Sequence, residues 1–220
     1  MRPRLLAFLA TTGLAMALAG CVSLKRTPEA RFFVLRPLAE APAATDTSAT
    51  AGLVGLLPVV LPGYLDRPQL VSWVAPGELR IDEYLRWAEP LDAGLLRTLA
   101  ANLDVCLPGS RVIRSPWPST ARLRCRVRLE LQRFGPQTSG EVRLEGRFAL
   151  LPTDGERPLV ARPVAFMRGP LAVSPAGVDP MAGVEAMSDL LADLAREIAA
   201  AVGALPSPAD ALSPGPAAPR

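Results

Sequence analysis

Residues 122–150 read RLRCRVRLELQRFGPQTSGEVRLEGRFAL, two alternating runs on either side of a turn. In the first run Leu123, Cys125, Val127, Leu129 and Leu131 share one face, and Arg122, Arg124, Arg126, Arg128 and Glu130 share the other. In the second, Val142, Leu144, Phe148 and Leu150 oppose Glu141, Arg143, Glu145 and Arg147. A period of two is the period of an extended strand. Gly135-Pro136 and Ser139-Gly140 supply turn chemistry, so the stretch predicts an antiparallel hairpin with one apolar face. Charge narrows its register. A pairing that faces Glu130 with Glu145 and Arg128 with Arg147 is unfavourable, whereas the two neighbouring registers give Glu130 an arginine, either Arg143 or Arg147. Acids interleave with the arginines, which reads as a solvated sheet face rather than an anionic-lipid site.

Outward from the hairpin, the other strands are shorter. Arg31–Leu35 is a plausible first strand, and Leu53–Leu61 is almost wholly apolar, as a strand covered on both faces would be, with Pro58 marking a bulge or an edge. Gln69–Val74 and Leu79–Tyr84 flank the turn Pro76-Gly77. Arg111–Ile113 is a short strand, and Leu159–Met167 pairs with the hairpin despite Pro163. Two helices follow from the three-and-four spacing of apolar residues. Pro90–Cys106 aligns Leu91, Leu95, Leu99 and Leu103, widened by Leu96, with Pro90 at the first helical position. Asp179–Val202 aligns Val184, Met187, Leu191, Leu194, Ile198 and Val202 behind an Asp179 cap. The expected fold is α+β, a single antiparallel-rich mixed sheet with both amphipathic helices packed on one face.

The ends have a different character. Arg2 and Arg4 precede an apolar run too short to span a bilayer, and Leu18-Ala19-Gly20-Cys21 matches a lipobox. This divides the chain into a signal peptide 1–20, a lipidated tether 21–30 on Cys21, a domain 31–203 and a disordered Pro/Ala-rich tail 204–220. The tether reaches roughly 30 Å when extended. Two or more acyl chains, palmitate among them, anchor stably where one does not. Net charge is +3 over the whole chain, and Arg2 and Arg4 leave with the signal, so there is no electrostatic footprint for nucleic acid. The chain has no histidine, which removes the commonest general base and zinc ligand. Neither a phosphate-cradling loop nor a nucleophile elbow is present, and no two carboxylates are marked as a catalytic pair. The expectation is a non-enzyme with no cofactor and no metal.

Two blocks then meet a family. Leu61 to Gln69, LPGYLDRPQ, followed by Arg86 to Leu91, RWAEPL, resembles the ABC-type transport auxiliary lipoproteins of the PqiC kind, the partners of MCE (mammalian cell entry) transport systems. With weaker echoes the resemblance spans roughly residues 31–202. It implies an accessory or docking subunit, lipid-anchored on the periplasmic face of the outer membrane, bound to an MCE-domain channel protein and forming a ring-like homo-oligomer. Val22 after the cysteine is not the aspartate that retains lipoproteins in the inner membrane of enteric bacteria. The motif makes Tyr64, Asp66, Arg67, Arg86, Trp87 and Glu89 the candidate partner-binding residues, although Asp66 and Arg67 read equally as a turn ion pair, and Arg86 and Glu89 as helix caps. A general periplasmic adaptor without a transport role is the alternative, and a glycan hydrolase the third reading.

Cys106 and Cys125 remain. A bridge between them would add about 3 kcal/mol in the chain-entropy picture, yet two separate core thiols are the plainer reading.

Overall fold

The computed structural model describes residues 28–38, 52–174 and 177–206. The signal peptide, Cys21, most of the tether and nearly all of the tail lie outside these residues. The strands are β1 (Arg31–Phe33), β2 (Leu53–Leu56), β3 (Gln69–Ala75), β4 (Glu78–Trp87), β5 (Arg111–Arg114), β6 (Leu123–Pro136), β7 (Val142–Leu151), β8 (Val160–Arg168), β9 (Val173–Ser174) and β10 (Gly177–Val178). The helices are α1 (Leu91–Cys106) and α2 (Pro180–Gly203).

The alternating hairpin is the middle of the molecule. β6 and β7 pair antiparallel with Glu130 opposite Arg147 and Leu129 opposite Phe148, one of the two registers that charge allows. At Gln132 the register slips by one residue, so that Arg133 comes to face Glu145 and Phe134 faces Leu144. Without that bulge Phe134 would point away from the core; with it the ring is buried. β8 adds to β7 on one side, while β2 and β5 add in parallel on the other, giving the order β5-β2-β6-β7-β8. Pro163 sits in β8, at the sheet's edge, the position in a sheet where proline is tolerated.

α2 lies across the inner face of β6, β7 and β8, and α1 lies against α2 and β5. Leu95, Leu99, Leu103, Leu191, Leu194, Ile198 and Val202 are fully buried against Cys125, Val127, Leu129, Leu144 and Phe148. Each such side chain contributes ~1.5–3 kcal/mol of transfer free energy. Arg162 and Arg168 on β8 reach across to Glu197 and Asp193 of α2, fastening the helix over the edge strand.

Four expectations need correction. The sheet is not single: β1, β4 and β3 form a separate three-stranded sheet, and β9 and β10 a two-stranded one. Pairing decides this. β3 and β4 satisfy each other, and β1 joins β4 in parallel, which leaves the Leu61–Pro68 loop as the connection to the larger sheet. Pro90 is the N-cap of α1, with φ −51° and ψ 134°, not its first helical residue. Leu53–Leu61 is interrupted at Pro58, beyond which Val60 returns as an isolated bridge to Glu130. Finally, Leu123 does not share the face of Cys125. A register slip between β2 and β6 turns it outward, where it lies with Trp117 against Gly55. Arg124 beside it donates to the Leu205 carbonyl at 2.7 Å, just past α2.

Candidate functional site

The two motif blocks form one junction. The Leu61–Gln69 loop carries the chain from the large sheet to β3, and Arg86–Leu91 carries it from β4 into α1. The Trp87 N–H donates to the Pro68 carbonyl at 2.7 Å, and Gln69 pairs with Arg86. Leu65 plugs the loop, buried, with its N–H on the Pro62 carbonyl at 2.9 Å.

The six candidate residues divide by burial and partner. Trp87 is 7 % exposed and belongs to the core, beside Phe33 across β1 and β4. Glu89 is half-buried and ion-paired with Arg97 at 2.6 Å, while Arg97 also donates to the Leu35 carbonyl at 3.1 Å. These two residues hold β4, α1 and the segment after β1 together. Tyr64 donates its hydroxyl to the Gln132 carbonyl at the β6 bulge, and its ring meets Trp73 edge-on at 5.4 Å. The Arg133 guanidinium stacks on Trp73 at 4.1 Å. Partial burial pushes the Tyr64 hydroxyl above its ordinary range, against the nearby Arg133 charge. Asp66 is exposed, and Arg67 and Arg86 are half-buried; Arg86 donates to the Glu83 carbonyl at 3.0 Å. The junction therefore presents Tyr64, Asp66, Arg67 and Arg86 at the surface and keeps Trp87 and Glu89 inside.

The arginine face of the hairpin is neutralised within the molecule. Arg147 pairs with Glu130, Arg143 with Glu141 and Glu145, and Arg133 with Glu145. The β7–β8 loop folds back so that Glu156 meets Arg126 and Arg128, and the Arg128 hydrogen bond and charge hold its carboxyl below the usual range.

A second feature has no local signature in the sequence. A cleft of about 590 Å³ opens between the three-stranded sheet, the β6–β7 turn, β9–β10 and the start of α2. Leu70 and Leu85 line one wall, Val184 and Met187 the other, and Arg31, Arg80, Asp82 and Asp179 also border it. Its parts come from both ends of the chain, so no local pattern could have revealed it. Among the described residues no cluster of three or more His, Cys, Asp or Glu side chains is placed to hold a metal, and no helix is long and apolar enough to cross a membrane.

An α+β domain with a cleft of mixed lining and a solvent-facing motif junction is the class these observations define. The chain belongs to the family of ABC-type transport auxiliary lipoprotein components, whose model matches residues 33–199. It is therefore an auxiliary transport lipoprotein by family. Among curated proteins no sequence matches it. A crystallised protein described as uncharacterized superposes with a TM-score of 0.63 at 21% identity, covering 80% of this chain and 99% of its own. A protein from Xanthomonas campestris superposes with a TM-score of 0.58 at 16% identity, covering 76% and 92%. Both show the same fold. The dodecameric PelC of Paraburkholderia phytofirmans reaches a TM-score of 0.43 at 12% identity, covering 71% and 91%, which is too slight a likeness to build on.

Proposed function

We propose that this protein is an outer-membrane-anchored periplasmic lipoprotein that docks an MCE-domain channel protein of an ABC-type lipid transport system. What carries the reading is the family match over residues 33–199, nearly the whole folded domain, beginning a short tether after the lipobox cysteine. In this reading Cys21 bears the lipid, the domain works as a homo-oligomer, and the partner meets the surface part of the motif junction, Tyr64, Asp66, Arg67 and Arg86. Trp87 and Glu89 serve that surface only by positioning it. No step of chemistry is asked of the chain.

Two measurements test this. Density-gradient fractionation should place the protein with outer-membrane markers, and Cys21→Ala should release or misprocess it while the domain stays folded; co-migration with inner-membrane markers overturns the location. A pull-down from solubilised envelope should recover an MCE-domain protein. Recovery of envelope-assembly factors without any transporter component would favour the general adaptor instead.

A further inference from the structure

We propose that the cleft between the three-stranded sheet and the first turns of α2 holds one acyl chain of a phospholipid, with the lipid phosphate near Arg31. The reading above makes this chain a docking part; the cleft gives it a lipid site of its own. That the lipid comes from the adjacent bilayer rests on that reading, whereas the fit of an acyl chain to the cleft does not.

The cleft's volume, about 590 Å³, falls within the range of small-ligand sites, and its mixed lining includes apolar Leu70 and Leu85 from the sheet and Val184 and Met187 from the helix. Its floor does not end in tight packing. Leu70, Pro136 and Met187 also line a separate small void of about 10 Å³, bordered by Gln69, Trp87 and Phe134. Close-packed cores leave few such voids, and an apolar one is a poor site for water. Met187 stands between cleft and void, and methionine is the apolar side chain that repacks most readily. A flexible acyl chain can lie along these walls, with Met187 adjusting to it.

The mouth offers a cation to a lipid phosphate. Arg31 is exposed, with its guanidinium 5.3 Å from the Phe33 ring, and it stands at the point where the chain enters the fold from the tether. Asp82 and Asp179 on the same border turn their carboxylates to backbone donors, the N–H groups of Tyr84, Leu85 and Ala182, and Arg80 stands beside them as a second cation. Two of the protein's own segments outside the described residues are poor occupants: 39–51 carry no large apolar side chain, and 207–220 carry only Leu212, whereas the tether segment 22–27 carries Val22 and Leu24.

The test uses the full chain and a lysophosphatidylethanolamine with a diazirine near the end of its acyl chain, supplied as monomer so that anchoring is not required. After irradiation, mass spectrometry should place the label on the peptides of Leu70, Leu85, Val184 or Met187. A Cβ on Gly183 would begin 3.8 Å from Val178 and 3.9 Å from Pro136, so Gly183→Leu fills the cleft without a backbone clash. That variant should cut cleft labelling about tenfold or more. Gly183→Ala should cut it less, Arg31→Glu should weaken it, and the far-ultraviolet circular dichroism should stay unchanged in all three. Label confined to residues before Phe33, or equal in Gly183→Leu, overturns the proposal in favour of general surface adsorption. Chain-to-chain cross-links through the cleft would overturn it in favour of a second copy. Failure of the MCE pull-down leaves these outcomes untouched, so the two readings fall separately.

Discussion

Glu130 on β6 and Arg147 on β7 stand directly opposite one another, and Arg147 donates from both Nε and Nη2 to the same carboxylate oxygen, at 2.9 and 2.7 Å. The pair is half open to solvent, so its worth is modest, about 0.2–1 kcal/mol. Arg147→Glu, which sets like charges face to face, should lower stability by a similar amount, and Glu130→Arg with Arg147→Glu should recover most of it. Denaturant unfolding of the four variants measures the coupling. A coupling of zero would remove charge from the reasons for this register.

Two glycines should respond in opposite directions to alanine. A Cβ on Gly146 would lie 2.3 Å from the Glu130 carbonyl oxygen and 3.0 Å from the Leu131 Cα, where β6 and β7 close upon the bulge. Gly146→Ala should therefore cost about 1–3 kcal/mol. Gly183, inside α2 with no contact closer than 3.8 Å, should gain up to ~1 kcal/mol as alanine, by helix propensity. Thermal melts with the same sign for both would contradict the geometry.

The motif should split under mutagenesis. Trp87→Ala opens a cavity in the core and should cost about 3–5 kcal/mol. Asp66→Ala is at the surface and should stay within ~0.5 kcal/mol of the parent. If partner capture falls with Asp66→Ala while the melting curve does not move, the exposed half of the motif is the contact. Equal capture by Asp66→Ala and the parent would remove Asp66 from it.

Asp104 gives a pH dependence of definite sign. It lies in the last turn of α1, and desolvation raises its carboxyl above the ordinary 3.8, outweighing the hydrogen bond from the Val112 N–H at 2.9 Å and the Arg111 charge. The folded chain holds this proton more tightly than the unfolded one. Its contribution is thus complete below 3.8 and is lost as the pH rises through the folded value. Asp104→Asn keeps the acceptor and removes the charge. It should be neutral at pH 3 and stabilising at pH 7, by less than about 1 kcal/mol because the group is near solvent. Urea unfolding at the two pH values decides it, and a greater loss at pH 7 than at pH 3 would reverse the sign.

Both Cys106 and Cys125 are free thiols, and they differ in access. Cys125 is fully buried in the core, and that burial pushes its thiol up to about 11. Cys106 is only partly buried. Alkylation without reductant should therefore label Cys106 in the native protein, and Cys125 only when denaturant is added. Two unlabelled cysteines under both conditions would mean a bridge.

The local elements were legible because each is written in its own neighbours. The alternation of Leu129, Glu130 and Leu131 fixes a strand face, and the spacing of Leu95, Leu99 and Leu103 fixes a helix stripe, whatever the rest of the chain does. The junction blocks were legible as a family resemblance, but not the roles within them. Nothing in RWAEPL says that Trp87 points into the core and Arg86 out of it; the pairing of β4 with both β1 and β3 decides that.

The sequence by itself determined the α+β content, both helices, the central hairpin with its choice of registers, and the family, since these depend on residues near one another in the chain. Tertiary structure alone decided that the strands divide into separate sheets, that the bulge at Gln132 returns Phe134 to the core, and that Leu123 turns away from Cys125. It also decided the cleft, where Arg31 and Leu70 meet Met187. Strand pairing and helix docking are settled by which surfaces bury most area together with their hydrogen bonds satisfied, and that competition runs between separate segments, as far apart in the chain as Arg31 and Met187 at the cleft, where local periodicity carries no information.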